Sequence, residues 1–194
     1  MKTLKIDIVS DVMCPWCIIG YKNLEKALSE LHGEINAEIS WKPFELNPNM
    51  PPEGQDLNEH LTQKYGLTPE QSKDNRQRLI DAGKDADFTF NFDDKRMIIN
   101  SFDCHRLLAW AATLNKQTEL KLALFKAHFS DLVNLNEQSA LLDIVASVGL
   151  DTDRAQEILA GGEFFQEVRS QQSDIQQMGI TTVPTFIINE QYAL

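Results

Sequence analysis

The sequence predicts an α/β fold whose sheet-forming segments are parted by a long all-helical domain, and three observations carry that prediction. The opening TLKIDIVSDVM alternates apolar and polar residues, as a strand with one buried face does. From about Asp56 to about Gly162 the apolar residues recur at helical spacing. Near the far end, TVPTFIIN is apolar and β-branched, the composition of a strand.

Each element follows in order. Leu4, Ile6 and Ile8 form the apolar face of the first strand. CIIGYKNLEKALSELHG places Ile18, Tyr21, Leu24, Leu28 and Leu31 along one helical face, with Gly33 as its C-terminal stop. INAEISWKPFELNP predicts a second strand with Ile35, Ala37, Ile39 and Trp41 on one side, ended by Pro43 and Pro48. The connection LNPNMPPEGQDL is rich in turn formers. In the helical stretch, Thr68 followed by Pro69 and Gln71 spells a capping box with proline at the first helical position, and Asn100 and Asp151 are further N-caps. Leu120, Leu124, Phe125, Phe164 and Phe165 are expected in the core, and Asp93 and Asp94 at the solvated surface. FFQEVRSQQSDIQQMG predicts a last helix stopping at Gly179, followed by a buried strand entered through Pro184. NEQYAL then gives a turn and the first residues of a returning strand. The expected organisation is residues 1–50 and 163–194 as one discontinuous domain lacking its last strand and helix, with residues 51–162 as the helical insertion.

Composition narrows the function. The chain has 194 residues, enough for a true hydrophobic core without disulfide staples. Its 18 basic and 29 acidic residues give a net charge of −11, which repels phosphate backbones and anionic lipid, so neither nucleic acid nor membrane is an expected partner. Lys5 and Asp7 interrupt the apolar stretch that a secretory leader needs, and the expected location is cytoplasmic unless a leader was removed. In a reducing cytosol, close-set cysteines are catalytic or metal-binding more often than structural.

Those cysteines lie in SDVMCPWCIIG, where the first strand hands over to the first helix. Cys14 falls at the helix start and Cys17 inside the first turn, so their sulfurs come within bonding reach. The free N–H groups and positive dipole end of a helix favour the thiolate of Cys14 and predict a lowered pKa. Cys14 is then the nucleophile and Cys17 the thiol that resolves the mixed disulfide. Pro15 suits a first turn that has no use for its N–H. Trp16 either offers an aromatic contact to an extended partner or folds onto the core. Asp11 either relays a proton to Cys17 or hydrogen-bonds locally. A zinc site would need two further ligands, and Cys104 and His105, adjacent on a helix, point about 100° apart. No metal is therefore expected; both residues are expected to serve core or groove packing, and His128 is expected to be an ordinary helix residue.

Strand, CPWC, helix, strand, helical insertion and a strand introduced by TTVPTF together resemble the thioredoxin superfamily, in its DsbA-like branch, across essentially the whole chain. SDVMCPWCIIG, WKPFELNP and NSFDCHRLLAWA resemble the cytoplasmic FrnE-like group, which is similar to 2-hydroxychromene-2-carboxylate isomerases and kappa-class glutathione transferases. The resemblance implies a thioredoxin-like fold and a cis bond before Pro184, beside the CPWC. It implies that Val183 offers backbone hydrogen bonds to an extended substrate, and that Phe44, Asn47, Asn100 and His105 border a groove between the domains. The periplasmic oxidants of the branch carry histidine where this chain has Trp16, and the isomerase relatives place serine at the first active-site position. Two cysteines here imply dithiol chemistry.

The expected activity is that of a thiol–disulfide oxidoreductase or disulfide isomerase using a redox-active disulfide and no other cofactor, with glutathione as a candidate co-substrate. Its expected partners are protein or small-molecule thiols and disulfides and a reductant such as glutathione or thioredoxin. Glutathione-dependent isomerase or transferase chemistry on a small molecule is the enzymatic alternative, and a substrate-holding or zinc-binding module the non-enzymatic one.

Overall fold

The computed structural model describes residues 2–31, 33–93 and 96–194, so Asp94 lies outside the described residues. The chain forms β1 (Lys2–Ser10), α1 (Pro15–Glu30), β2 (Ile35–Pro43), β3 (Gln55–Asp56), α2 (Leu57–Tyr65), α3 (Pro69–Asp85) and β4 (Met97–Ile98). There follow α4 (Phe102–Thr113), α5 (Gln117–Phe129), α6 (Gln138–Ser147), α7 (Thr152–Ala160), α8 (Phe165–Gln177), β5 (Thr185–Ile188) and β6 (Tyr192–Ala193).

One sheet has the order β2-β1-β5-β6. β1 is central, parallel to β2 and antiparallel to β5. The parallel pair requires a crossover, which α1 supplies. Because β1 is covered on both sides at its C-terminal end, Val9 and Ser10 are buried along with Ile6 and Ile8, and the alternation of its first half lapses there. β6 is the returning strand begun in NEQYAL. β5 is less buried than expected: of its four residues only Thr185 is buried, and Phe186, Ile187 and Ile188 are half-buried. Gly20 lets α1 lie close on β5, where a Cβ would stand 3.1 Å from the Pro184 ring and 3.2 Å from Phe186.

The expected all-helical stretch also contains a strand pair, since β3 and β4 join antiparallel across its base. Two residues per strand leave no periodic signature, so this bridge was invisible in the sequence. Helix starts are otherwise where the side chains dictate. Thr68 and Gln71 close their reciprocal capping box, and Asp151 accepts from the N–H groups of Asp153 and Arg154. Asn100 departs from expectation: the N-cap of α4 is Ser101, while Asn100 accepts from the Phe102 N–H and donates to the Met50 carbonyl. Its amide joins the connection before β3 to the start of α4.

The helices dock on the edge strand β2. The Gln117 amide, from α5, accepts from Trp41 N–H at 2.9 Å and donates to Trp41 C=O at 3.0 Å, pairing an exposed strand edge as another strand would. Trp41 Nε1 donates to Thr118. Two large apolar cores result, beside a small cluster of Met50, Leu57 and Ile98. One joins Ile6, Ile8, Cys14, Cys17 and Ile18 to Trp41, Phe125 and Phe129. The other gathers the helices around Leu107, Leu120, Leu124 and Val145, and it takes in Val12 and Met13 from the loop ahead of the cysteines. Phe164 is partly buried against this second core, whereas Phe165 is 42% exposed, edge-on to Phe102 and covered by the Arg169 guanidinium.

Candidate active site

The cysteines sit where the sheet, α1 and the insertion meet. Cys14 is the N-cap of α1 in extended conformation, and Pro15 occupies the first helical position, where its missing N–H costs nothing. Cys17 N–H donates to the Cys14 carbonyl at 3.1 Å, setting the two residues one turn apart. All three cysteines are free thiols. The Val183–Pro184 peptide is cis, and the Val183 carbonyl lies 3.8 Å from Cys14 Sγ.

A groove of about 430 Å³ opens beside Cys14. Cys14, Pro15, Trp16, Asn47 and Val183 line it, facing α2 and α3 of the insertion. Trp16 is 48% exposed at its edge, so the aromatic offers a contact rather than filling the core. Cys17, wholly buried, does not reach the groove.

Phe44, Asn100 and His105 lie elsewhere. The Phe44 carbonyl is 3.0 Å from His105 Nε2, and that ring is also 3.7 Å from Asp11. Asn100 is held at the β3 connection and borders a different hollow with Phe102 and Cys104. None of the three lines the groove beside Cys14. Asp11 takes the local one of its two roles: its carboxylate accepts from the N–H groups of Met13 at 3.2 Å and Leu46 at 2.7 Å. Burial raises its pKa, but hydrogen bonds from His105, Leu46 and Ser101 together hold it below the ordinary carboxylate range.

The two active-turn thiols are coupled. Cys14, whose thiol donates to the Val183 carbonyl, is pushed far up by the neighbouring Cys17 sulfur and by burial. Burial also raises Cys17, but this is outweighed by the hydrogen bond from Cys14, by the Ser10 hydroxyl and by the charge of Lys121, so its pKa is lowered. The two thiols lie close enough that their titration belongs to the pair, with Cys14 displaced upward and Cys17 downward. This departs from the expectation of a lowered Cys14, because the partner sulfur competes with the helix end. Cys104, fully buried, is pushed up to about 12 by desolvation.

Lys121 is the residue sequence reasoning passed over. It is 1% exposed, with Nζ 5.3 Å from the Trp41 ring and 4.9 Å from the Phe125 ring. Burial lowers its pKa to about 8, against the charges of Cys17, Asp11, Cys104 and Cys14. The signal was present: Lys121, Leu124, Phe125 and His128 fall at i, i+3, i+4 and i+7, one buried stripe of α5. His128 is likewise enclosed, and burial holds its pKa well below the usual range. Among the described residues no three or more His, Cys, Asp or Glu side chains are grouped to hold a metal ion.

The sequence pattern of the DsbA-like thioredoxin domain matches residues 5–194. The chain belongs to that family. A crystal structure of a "probable DsbA oxidoreductase" from Streptomyces coelicolor is 29% identical, with a TM-score of 0.91 over 98% of this chain and 82% of that one. The uncharacterized protein YwbO of Bacillus subtilis is 28% identical over 97% of this chain and 88% of its own. The cytosolic disulfide reductase DsbM of Pseudomonas aeruginosa shares the fold at 16% identity, with a TM-score of 0.67 over 98% of this chain and 88% of that one. No helix among the described residues is long and apolar enough to cross a membrane.

Proposed function

We propose that the protein catalyses thiol–disulfide exchange, as an oxidoreductase or a disulfide isomerase, with Cys14 attacking and Cys17 resolving. The observation that carries this reading is the placement of the thiols: of three, Cys14 alone borders the groove, and Cys17 stands one helical turn behind it. As Cys14 attacks one sulfur of a substrate disulfide, its proton passes to Cys17. The substrate S–S bond breaks, the second sulfur leaves with the electron pair as a thiolate, and a mixed disulfide forms. Cys17 then yields its proton to the released thiolate and attacks Cys14 Sγ, expelling the remaining substrate sulfur, which takes its proton from solvent. Two electrons have moved to the substrate, and the protein holds a Cys14–Cys17 disulfide. The reverse sequence oxidises a dithiol.

In this reading the backbone of Val183, set by Pro184, pairs with an extended substrate beside Cys14, and Pro15, Trp16 and Asn47 flank it. A thiol reductant such as glutathione or thioredoxin reopens the disulfide, in a reducing compartment such as the cytoplasm.

The experiment is the reduction potential of the pair, measured by equilibration in glutathione buffers, thiol trapping and mass analysis, with Cys14→Ser as control. A reversible two-electron transition that disappears in the variant is expected. Its position against the cytosolic poise then separates a reductant from an isomerase or oxidant. If no intramolecular disulfide forms at any buffer ratio, the proposal fails, and glutathione-dependent small-molecule chemistry or metal binding takes its place.

A further inference from the structure

The charge of the groove runs against that of the chain. Acidic residues number 29 against 18 basic ones overall. Among the described residues that line the groove there is no aspartate or glutamate, and there are three arginines: Arg76, Arg78 and Arg96. Arg96 is 8% exposed, with its guanidinium 4.7 Å from the Phe129 ring and 5.6 Å from the Phe92 ring, and its Nε has no hydrogen-bond partner among the described residues. Arg96 also borders a small second cavity with Asp93 and His128, where the Asp93 charge acts on it, but Asp93 does not line the groove.

Ring faces hold a guanidinium in place but accept none of its directed hydrogen bonds, and a buried donor left unpaired is costly. The group that answers this fork is a planar anion, above all a carboxylate. The rest of the lining is largely apolar, including Met13, Leu57, Leu61, Leu79 and Ile98. A volume of about 430 Å³ lies in the range of sites for small molecules.

We infer that the groove takes a small thiol or disulfide that carries a carboxylate on an apolar body, with the carboxylate on Arg96 and the sulfur at Cys14. This substrate class presupposes the exchange chemistry at Cys14 proposed above.

The test uses two chromogenic aromatic disulfides on the reduced full-length chain: the dianionic disulfide of thionitrobenzoate and the neutral dipyridyl disulfide. Each is reduced by two electrons, releasing one aromatic thiol on attack by Cys14 and a second when Cys17 closes the protein disulfide. Arg96→Met is expected to slow the carboxylate probe by about tenfold or more, roughly 1.4 kcal/mol, and to leave the neutral probe within about twofold. Arg96→Lys is expected to restore part of the loss. Equal slowing of both probes, or no slowing of the carboxylate probe, overturns the carboxylate site while exchange at Cys14 stands. If neither probe reacts at Cys14 in the unaltered protein, exchange itself fails, and the substrate class with it. A measurement on the unaltered protein does not depend on how Arg96→Met folds: naphthoate, which has no sulfur, is expected to slow alkylation of Cys14 by a neutral maleimide, whereas naphthalenemethanol does not. Equal behaviour of the two overturns the carboxylate assignment.

Discussion

Cys14 and Cys17 are one helical turn apart, yet they occupy opposite kinds of surroundings. Cys14 faces a groove with a carbonyl 3.8 Å away and an exposed indole at the edge. Cys17 faces inward, toward a serine hydroxyl and the charge of a buried lysine. In the proposed exchange, a single turn separates the thiol that meets substrate from the thiol that resolves it. Both sulfurs are buried, so in that reading it is contact with the groove, not exposure, that marks Cys14 as the attacking one.

The most damaging way to break this contrast is to remove either sulfur. Cys14→Ser is expected to reduce exchange to background. Cys17→Ser keeps the first step and accumulates the mixed disulfide, visible as a mass adduct. If both variants retain turnover, the assignment of roles is wrong.

Removing the inward charge comes next. Lys121→Met is expected to raise the pH at which the first thiolate appears, followed by ultraviolet absorbance, and to leave the fold intact. Lys121 also carries a stability signature. Its pKa falls from 10.5 to about 8 on folding, so between those values the unfolded chain binds the extra proton and stability must rise with pH. Denaturant titrations across that window should show the rise in the wild-type chain and a flatter profile in Lys121→Met. Identical profiles would mean that Lys121 is not titrating there.

A smaller effect concerns the seat opposite Cys14. Gly20→Ala places a methyl 3.1 Å from Pro184 and is expected to destabilise by about 1–3 kcal/mol, as overpacking does, in an urea melt. Exchange should slow with it, because Val183 moves with Pro184. Unchanged stability would show that α1 yields instead.

The smallest effect sharpens the comparison with a third thiol. Cys104 is as buried as Cys17 but has no sulfur partner, and its pKa is pushed up to about 12. Cys104→Ala should leave exchange rates unaltered, and an alkylating agent at neutral pH should label Cys14 while sparing Cys104 until the chain unfolds. Early labelling of Cys104 would contradict its burial.

Much of this arrangement was legible because its causes are local. The alternation of Leu4, Ile6 and Ile8, the Thr68–Gln71 capping box, the Asp151 cap and the stop at Gly179 each act within one turn or a few strand positions. The location of the cysteine pair at a strand-to-helix junction followed for the same reason. What escaped depends on contacts between distant segments. Lys121 carries the charge of a surface residue, and only the docking of α5 against Trp41 makes it interior. Arg96 sits in DDKRMIIN, which has no period to read, and acquires meaning from Phe129 and Phe92. Phe165 looked like core by composition, but its position in the first turn of α8 leaves it outside, against Arg169 and Phe102.

The chain passes from the helical core to the sheet core between Met13 and Cys14, with Val12 and Met13 anchored in the first and Cys14 and Cys17 in the second. That peptide link is a rivet through two plates. In the proposed exchange, a ligand bearing on the helical plate would press within one residue of the attacking sulfur.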